Sequence, residues 1–107
     1  MGDESGGRKC EDEWINIEDP FARRLIESYL DRRCKDVEVL RFSLESNEFE
    51  EIRIKGHNLC GSGSAYGLDR ISELGRLIED AATEKDGAAV ASSLDALESY
   101  LKKVRVV

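Results

Sequence analysis

A chain of 107 residues is long enough to bury a core without disulfides or metal, and it fits one domain. Its net charge of −7, from 16 basic and 23 acidic residues, argues against nucleic acid or an anionic membrane as partner. There is no apolar run of transmembrane length and no signal-peptide layout in Met1-Gly2-Asp3-Glu4-Ser5-Gly6-Gly7, so a soluble, cytoplasmic protein without direct membrane contact is expected.

The acidity is unevenly spread. Residues 1–19 hold seven acids and two bases, a net of −5, which leaves only −2 for the rest. Residues 1–13 are therefore expected to be a flexible acidic leader, and residues 14–107 the folded domain. Cys10, Cys34 and Cys60 are odd in number, widely spaced and without a CxxC pair. They read as free thiols in a reducing compartment, not as a disulfide frame or zinc site.

In chain order, Trp14-Ile15-Asn16-Ile17 is expected to form a small extra turn that plugs one end of the fold. Asp19-Pro20 has the form of an N-cap followed by proline at the first helical position, where a missing N–H does no harm. Ile26, Leu30, Cys34, Val37, Leu40 and Leu44 then recur at steps of three or four, one face of a long helix with an expected bend near Arg32-Arg33. Ser46-Asn47-Glu48 reads as a turn, and Asn47 with Glu50 has the side chains of a capping box opening a second helix.

That helix carries Phe49, Ile52, Gly56, Leu59, Gly63 and Tyr66 along one seam, the spacing for shallow-angle packing on neighbouring helices. Gly67 is expected to end it as a left-handed cap. A third helix is predicted from about Asp69 to Lys85, with Ile71, Leu74, Ile78, Ala81 and Ala82 inward. Asp86-Gly87 breaks it. A fourth runs to about Val104, with Val90, Leu94, Leu97, Leu101 and Val104 inward. No stretch alternates apolar and polar residues over strand length. The fold expected is all-α: an antiparallel up-down four-helix bundle with a short N-terminal extra turn or helix.

The chain has one histidine, His57, and Gly56, Gly61, Gly63 and Gly67 crowd around it. Glycine inside a helix costs roughly 0.5–1 kcal/mol relative to alanine, so its repeated use here implies a need for space. Gly56 and Gly63 lie on the seam and suit close helix approach. Gly61 lies off the seam, where a larger side chain would lean over the His57 ring, so it suits access. His57 itself sits about 100° round the helix from Gly56, half-supported and half-open. A neutral imidazole open to solvent is a competent nitrogen nucleophile. Ser62 and Ser64 stand on different azimuths and are not obvious nucleophiles. His57 with Cys60 is the only candidate ligand pair, and two ligands do not make a metal site.

His57-Asn58-Leu59-Cys60-Gly61, a run of small residues, and Tyr66-Gly67 together resemble the signature of histidine-containing phosphotransfer (HPt) domains: histidine, two variable residues, lysine, glycine, then small residues ending in glycine. Asn47-Glu48-Phe49-Glu50-Glu51-Ile52, Leu77-Ile78-Glu79-Asp80-Ala81-Ala82 and the stretch from Leu94 to Tyr100-Leu101 are similar to the family's helices, so the likeness covers roughly residues 21–104. The resemblance implies a phosphorelay carrier without autonomous catalysis. His57 would accept a phosphoryl group from a receiver-domain aspartyl phosphate and pass it to another receiver aspartate. The implied partners are response-regulator receiver domains, a hybrid sensor histidine kinase, or both. A bundle that buries its seams internally has no need of a second copy, so a monomer is expected.

The family has no ATP site, and this chain contains no GxxxxGK[ST] loop. No cofactor of its own is implied; magnesium and most of the charge stabilisation belong to the receiver.

One departure stands out. Cys60 occupies the position of the family's lysine, which would offer a cation to the phosphoryl oxygens. Arg53, one turn before His57, is the expected substitute, while Lys55 is far round the helix. Arg53, Cys60, Gly61 and Ser64 are accordingly the expected supporting or partner-facing residues. Two other readings are an HPt-like module that binds receivers without efficient transfer because of Cys60, and a redox or metal-binding bundle using His57 and Cys60. Arg23, Arg24, Arg32 and Arg33 read as a solvated helix face that could meet an acidic receiver rim.

Overall fold

The computed structural model describes residues 13–15 and 18–106. The expected leader lies almost wholly outside these residues. Four helices follow one another: α1 (Pro20–Glu45), α2 (Phe49–Ala65), α3 (Asp69–Thr83) and α4 (Gly87–Lys103). They pack as α1 on α2, α2 on α3, α3 on α4 and α4 back on α1, the up-down four-helix bundle read from the periodicity. Among the described residues, no helix is long and apolar enough to cross a membrane.

The helix boundaries follow from local chemistry. The Asp19 carboxylate accepts from the Phe21 amide at 3.0 Å ahead of Pro20, and the Asp86 carboxylate accepts from the Ala89 amide at 3.1 Å. Three helix ends close in the same manner. After α2, Gly67 turns left-handed at φ 77°, its N–H reaching the Ser64 carbonyl at 2.9 Å and the Leu68 N–H reaching Gly63 at 2.8 Å. Asn47 (φ 57°) and Lys85 (φ 55°) do the same after α1 and α3. Asn47 therefore ends α1 and does not cap α2, whose N-cap is Glu48 without a side-chain hydrogen bond. The capping box expected from Asn47 and Glu50 does not form. Asparagine tolerates the left-handed region as readily as it caps, and a tight turn needs the former.

The core is continuous through all four helices. Tyr29 and Leu40 of α1, Ile52 and Leu59 of α2, Ile71, Leu74 and Ile78 of α3, and Val90, Leu94 and Leu97 of α4 are all essentially inaccessible. Burying each such side chain favours folding by about 1.5–3 kcal/mol. α1 differs from its expected seam. It runs unbroken through Arg32-Arg33, since arginine is a good helix former. Cys34 is exposed, and the inward position belongs instead to Tyr29, with the Arg33 guanidinium 4.4 Å above its ring. The Tyr29 ring stacks on Tyr66 at 4.2 Å, and its hydroxyl lies 2.6 Å from the Ser62 hydroxyl, which ties α1 to the far end of α2.

α2 and α3 approach closest. A Cβ on Gly56 would lie 2.7 Å from the Glu79 amide nitrogen, and one on Gly63 2.5 Å from that of Ser72. From the other side, a Cβ on Gly75 would lie 2.6 Å from the Cys60 nitrogen. Backbone meets backbone here, and only glycine permits it.

The N-terminal segment is extended where an extra turn is expected. Glu13–Ile15 is a short strand, β1, paired in parallel with a second strand, β2 (Val104–Val106), Glu13 opposite Val104. The reason is chemical: Val104 leaves α4 with extended backbone (φ −72°, ψ 137°), and Val104-Arg105-Val106 offers ladder groups that a β-prone Trp14-Ile15 segment can satisfy. Asn16 and Ile17, the rest of the expected turn, lie outside the described residues.

Candidate functional site

The Gly56–Gly75 approach brings Glu79 of α3 alongside His57 of α2. The His57 side chain is 71% exposed, and its Nδ1 lies 3.3 Å from Glu79 Oε2, while Glu79 itself is only 25% exposed. A carboxylate can only accept, so Nδ1 carries the proton in this pair. The lone pair of the neutral ring is then on Nε2, the nitrogen away from Glu79. Glu79 thus backs one nitrogen of an outward-facing imidazole and leaves the other open, an orientation by a neighbouring carboxylate that histidines often show.

Around the ring, each expected site residue has a definite place. Gly61 is exposed, and a Cβ there would meet nothing within 4 Å, so the approach over His57 is clear. Cys60 is half-buried at the α2–α3 seam. Its carbonyl accepts from the Ser72 hydroxyl at 2.6 Å, and that hydroxyl accepts from the Ser64 amide at 2.7 Å and lies 3.0 Å from the Ser64 hydroxyl. Ser72 thus clips onto the backbone of α2 one turn beyond the motif, and the exposed Ser64 is held by it.

Arg53 does not stand free beside the histidine. Its fork grips Glu50, Nε to Oε1 at 3.1 Å and Nη2 to Oε2 at 2.6 Å. These bonds draw the Glu50 carboxyl below its usual range and raise the guanidinium. Lys55 points to the other flank, onto Asp36 at 3.3 Å. Ile54, one turn before His57, is 48% exposed and extends the open strip of α2.

The basic residues of α1 divide between the expected solvated face and structural work. Arg24 and Arg32 are exposed, whereas Arg33 is held between Tyr29 and Asp36, its Nε 2.7 Å from the carboxylate. Cys34 has its thiol pushed up by burial and then by Asp31, Glu38 and Glu98, which keeps it a poor nucleophile. Among the described residues, no three His, Cys, Asp or Glu side chains converge as a metal site.

Sequence pattern alone does not single out Glu79, Ser72 or Gly75. Glu79 lies within a run recognisable as third-helix pattern, yet nothing in that pattern says which α3 residue meets His57. The signal would have been Gly75, a lone glycine inside an amphipathic helix, which marks the point of closest approach.

The Hpt domain model of protein families matches residues 24–106, a span that takes in His57 and nearly the whole bundle. No curated protein and no solved structure gives a significant match. The family match, the four-helix bundle and the exposed histidine on its second helix agree: the chain belongs to the Hpt domain family, whose members carry phosphoryl groups in phosphorelays.

Proposed function

We propose that this domain is a phosphorelay carrier in which Nε2 of His57 is the phosphoryl acceptor and donor. The observation that carries the reading is the Glu79–His57 pair on an otherwise open ring. Nε2 attacks the phosphorus of a receiver aspartyl phosphate, the bond from phosphorus to the acyl oxygen breaks, and the receiver aspartate leaves as carboxylate. As the nitrogen–phosphorus bond forms, positive charge develops on the imidazole, and the Glu79 carboxylate at Nδ1–H stabilises it. The reverse sequence hands the group to a second receiver.

The receiver docks over the exposed strip of Ile54, His57, Gly61 and Ser64, with Gly61 leaving clearance for its acidic pocket. Magnesium is held by the receiver and offsets charge on the transferring group. This chain binds no nucleotide, works as a cytoplasmic monomer, and contributes position and the nucleophile.

The test is incubation with a phosphorylated receiver domain, assaying acid-labile, alkali-stable phosphate on wild type and His57→Gln. Label on wild type alone supports the carrier. Receiver binding without label supports the second reading, a docking module disabled by the missing lysine at Cys60. Stoichiometric metal uptake in place of both would favour the redox or metal bundle.

A further inference from the structure

Phosphoryl transfer through a site whose nearest charge is the Glu79 carboxylate needs a cation, and Cys60 offers none. α2 and α3 carry four basic residues besides His57: Arg53, Lys55, Arg70 and Arg76. Three are engaged, Arg53 on Glu50 at 2.6 Å, Lys55 on Asp36 at 3.3 Å and Arg70 on Glu73 at 2.7 Å. Arg76 is exposed and makes no ion pair among the described residues.

Its position follows from the contacts on either side. Ser72, four residues before, bonds the Cys60 carbonyl, and Glu79, three residues after, bonds His57. Residues at those spacings share one face of a helix. Gly75, its immediate neighbour, packs against the Cys60 nitrogen. Arg76 therefore stands on the lip of α3 at the level of Cys60, across the groove from the place where the family's motif puts lysine.

We infer that Arg76 is the phosphoryl-binding cation of this site, supplied from α3 in place of the side chain missing at Cys60. The inference rests on the carrier reading of His57. A guanidinium fork matches phosphoryl oxygens in a bidentate manner, and an uncommitted one need not release another carboxylate to do so. Arg53 would have to give up both bonds to Glu50 first.

The full chain is treated with potassium phosphoramidate, and phosphohistidine is followed by 31P NMR. In this reaction Nε2 attacks phosphorus, the phosphorus–nitrogen bond of the protonated donor breaks and ammonia leaves, so the rate reports this chain's residues without a receiver. Arg76→Ala is expected to load roughly tenfold more slowly, the loss of one charge-assisted interaction. Arg53→Ala stays within about twofold by the same argument, and Cys60→Lys added to Arg76→Ala restores the rate while thermal melts stay unchanged. Loading of Arg76→Ala at the wild-type rate, or failure of Cys60→Lys to rescue it, overturns the inference while leaving the carrier reading intact. Wild type that loads no more than His57→Gln overturns both.

Discussion

At the scale of single residues, the site depends on a carboxylate that holds one ring nitrogen and leaves the other free. Glu79→Gln keeps the shape and an acceptor for Nδ1–H but removes the charge that opposes the developing imidazolium. The expected outcome is several-fold slower loading of His57 from a phosphorylated receiver, with the melting temperature little changed because glutamine keeps the size and the hydrogen bond of this half-buried side chain; equal rates would remove Glu79 from the mechanism. His57 was legible in the sequence because it is the only imidazole and sits among glycines that a helix would otherwise avoid. Glu79 was not, because it is brought to the ring by the register of α3 on α2, a relation between residues 22 apart. Arg53 was expected to serve the phosphoryl group from its spacing alone. Spacing cannot reveal that Glu50, three residues earlier, holds the guanidinium fork.

At the scale of elements, the glycines near His57 separate into two physical kinds, and substitution distinguishes them. Gly56→Ala drives a methyl into the backbone of Gly75 and Glu79 and is expected to destabilise by about 1–3 kcal/mol or more, read by urea unfolding. Gly61→Ala meets open space inside a helix and is expected to stabilise by up to about 1 kcal/mol, while weakening receiver docking by taking up clearance on the exposed strip beside His57. If both changes were destabilising to the same degree, the division would be wrong. The four helices themselves were legible, since each carries its apolar residues at steps of three and four and two are opened by aspartate caps. Their connections were less so. Asn47 and Lys85 both adopt positive φ, and neither residue type marks that conformation as glycine does at Gly67. A three-residue strand such as Val104–Val106 is too short for alternation to announce it, so β1 and β2 were beyond reach of periodicity.

At the scale of the whole molecule, α1 and α4 are locked on the face away from the histidine by Arg41, whose Nη2 reaches Asp95 at 2.9 Å and Glu98 at 2.7 Å. The hydrogen bond from Arg41 is the main reason the Glu98 carboxyl is held below its usual range, and the same contacts raise the guanidinium. A carboxylate with a depressed folded pKa contributes stability above its unfolded value, near 4, and loses it as pH falls through the folded one. The raised arginine loses its share only in strong alkali. Arg41→Met should therefore be less stable than wild type at pH 7, with the gap closing towards pH 3 in urea unfolding. A gap independent of pH would mean that the loss is packing and not charge.

The bundle serves as a stiff frame that brings α3 against α2 so that one imidazole is backed by Glu79 and open on its other side. The most direct test of that claim is the phosphate recovered on the chain after exposure to a phosphorylated receiver domain. Acid-labile, alkali-stable label is expected on wild type and none on His57→Gln, with both proteins equally folded. Label persisting on His57→Gln, or absent from wild type that binds the receiver, would contradict it.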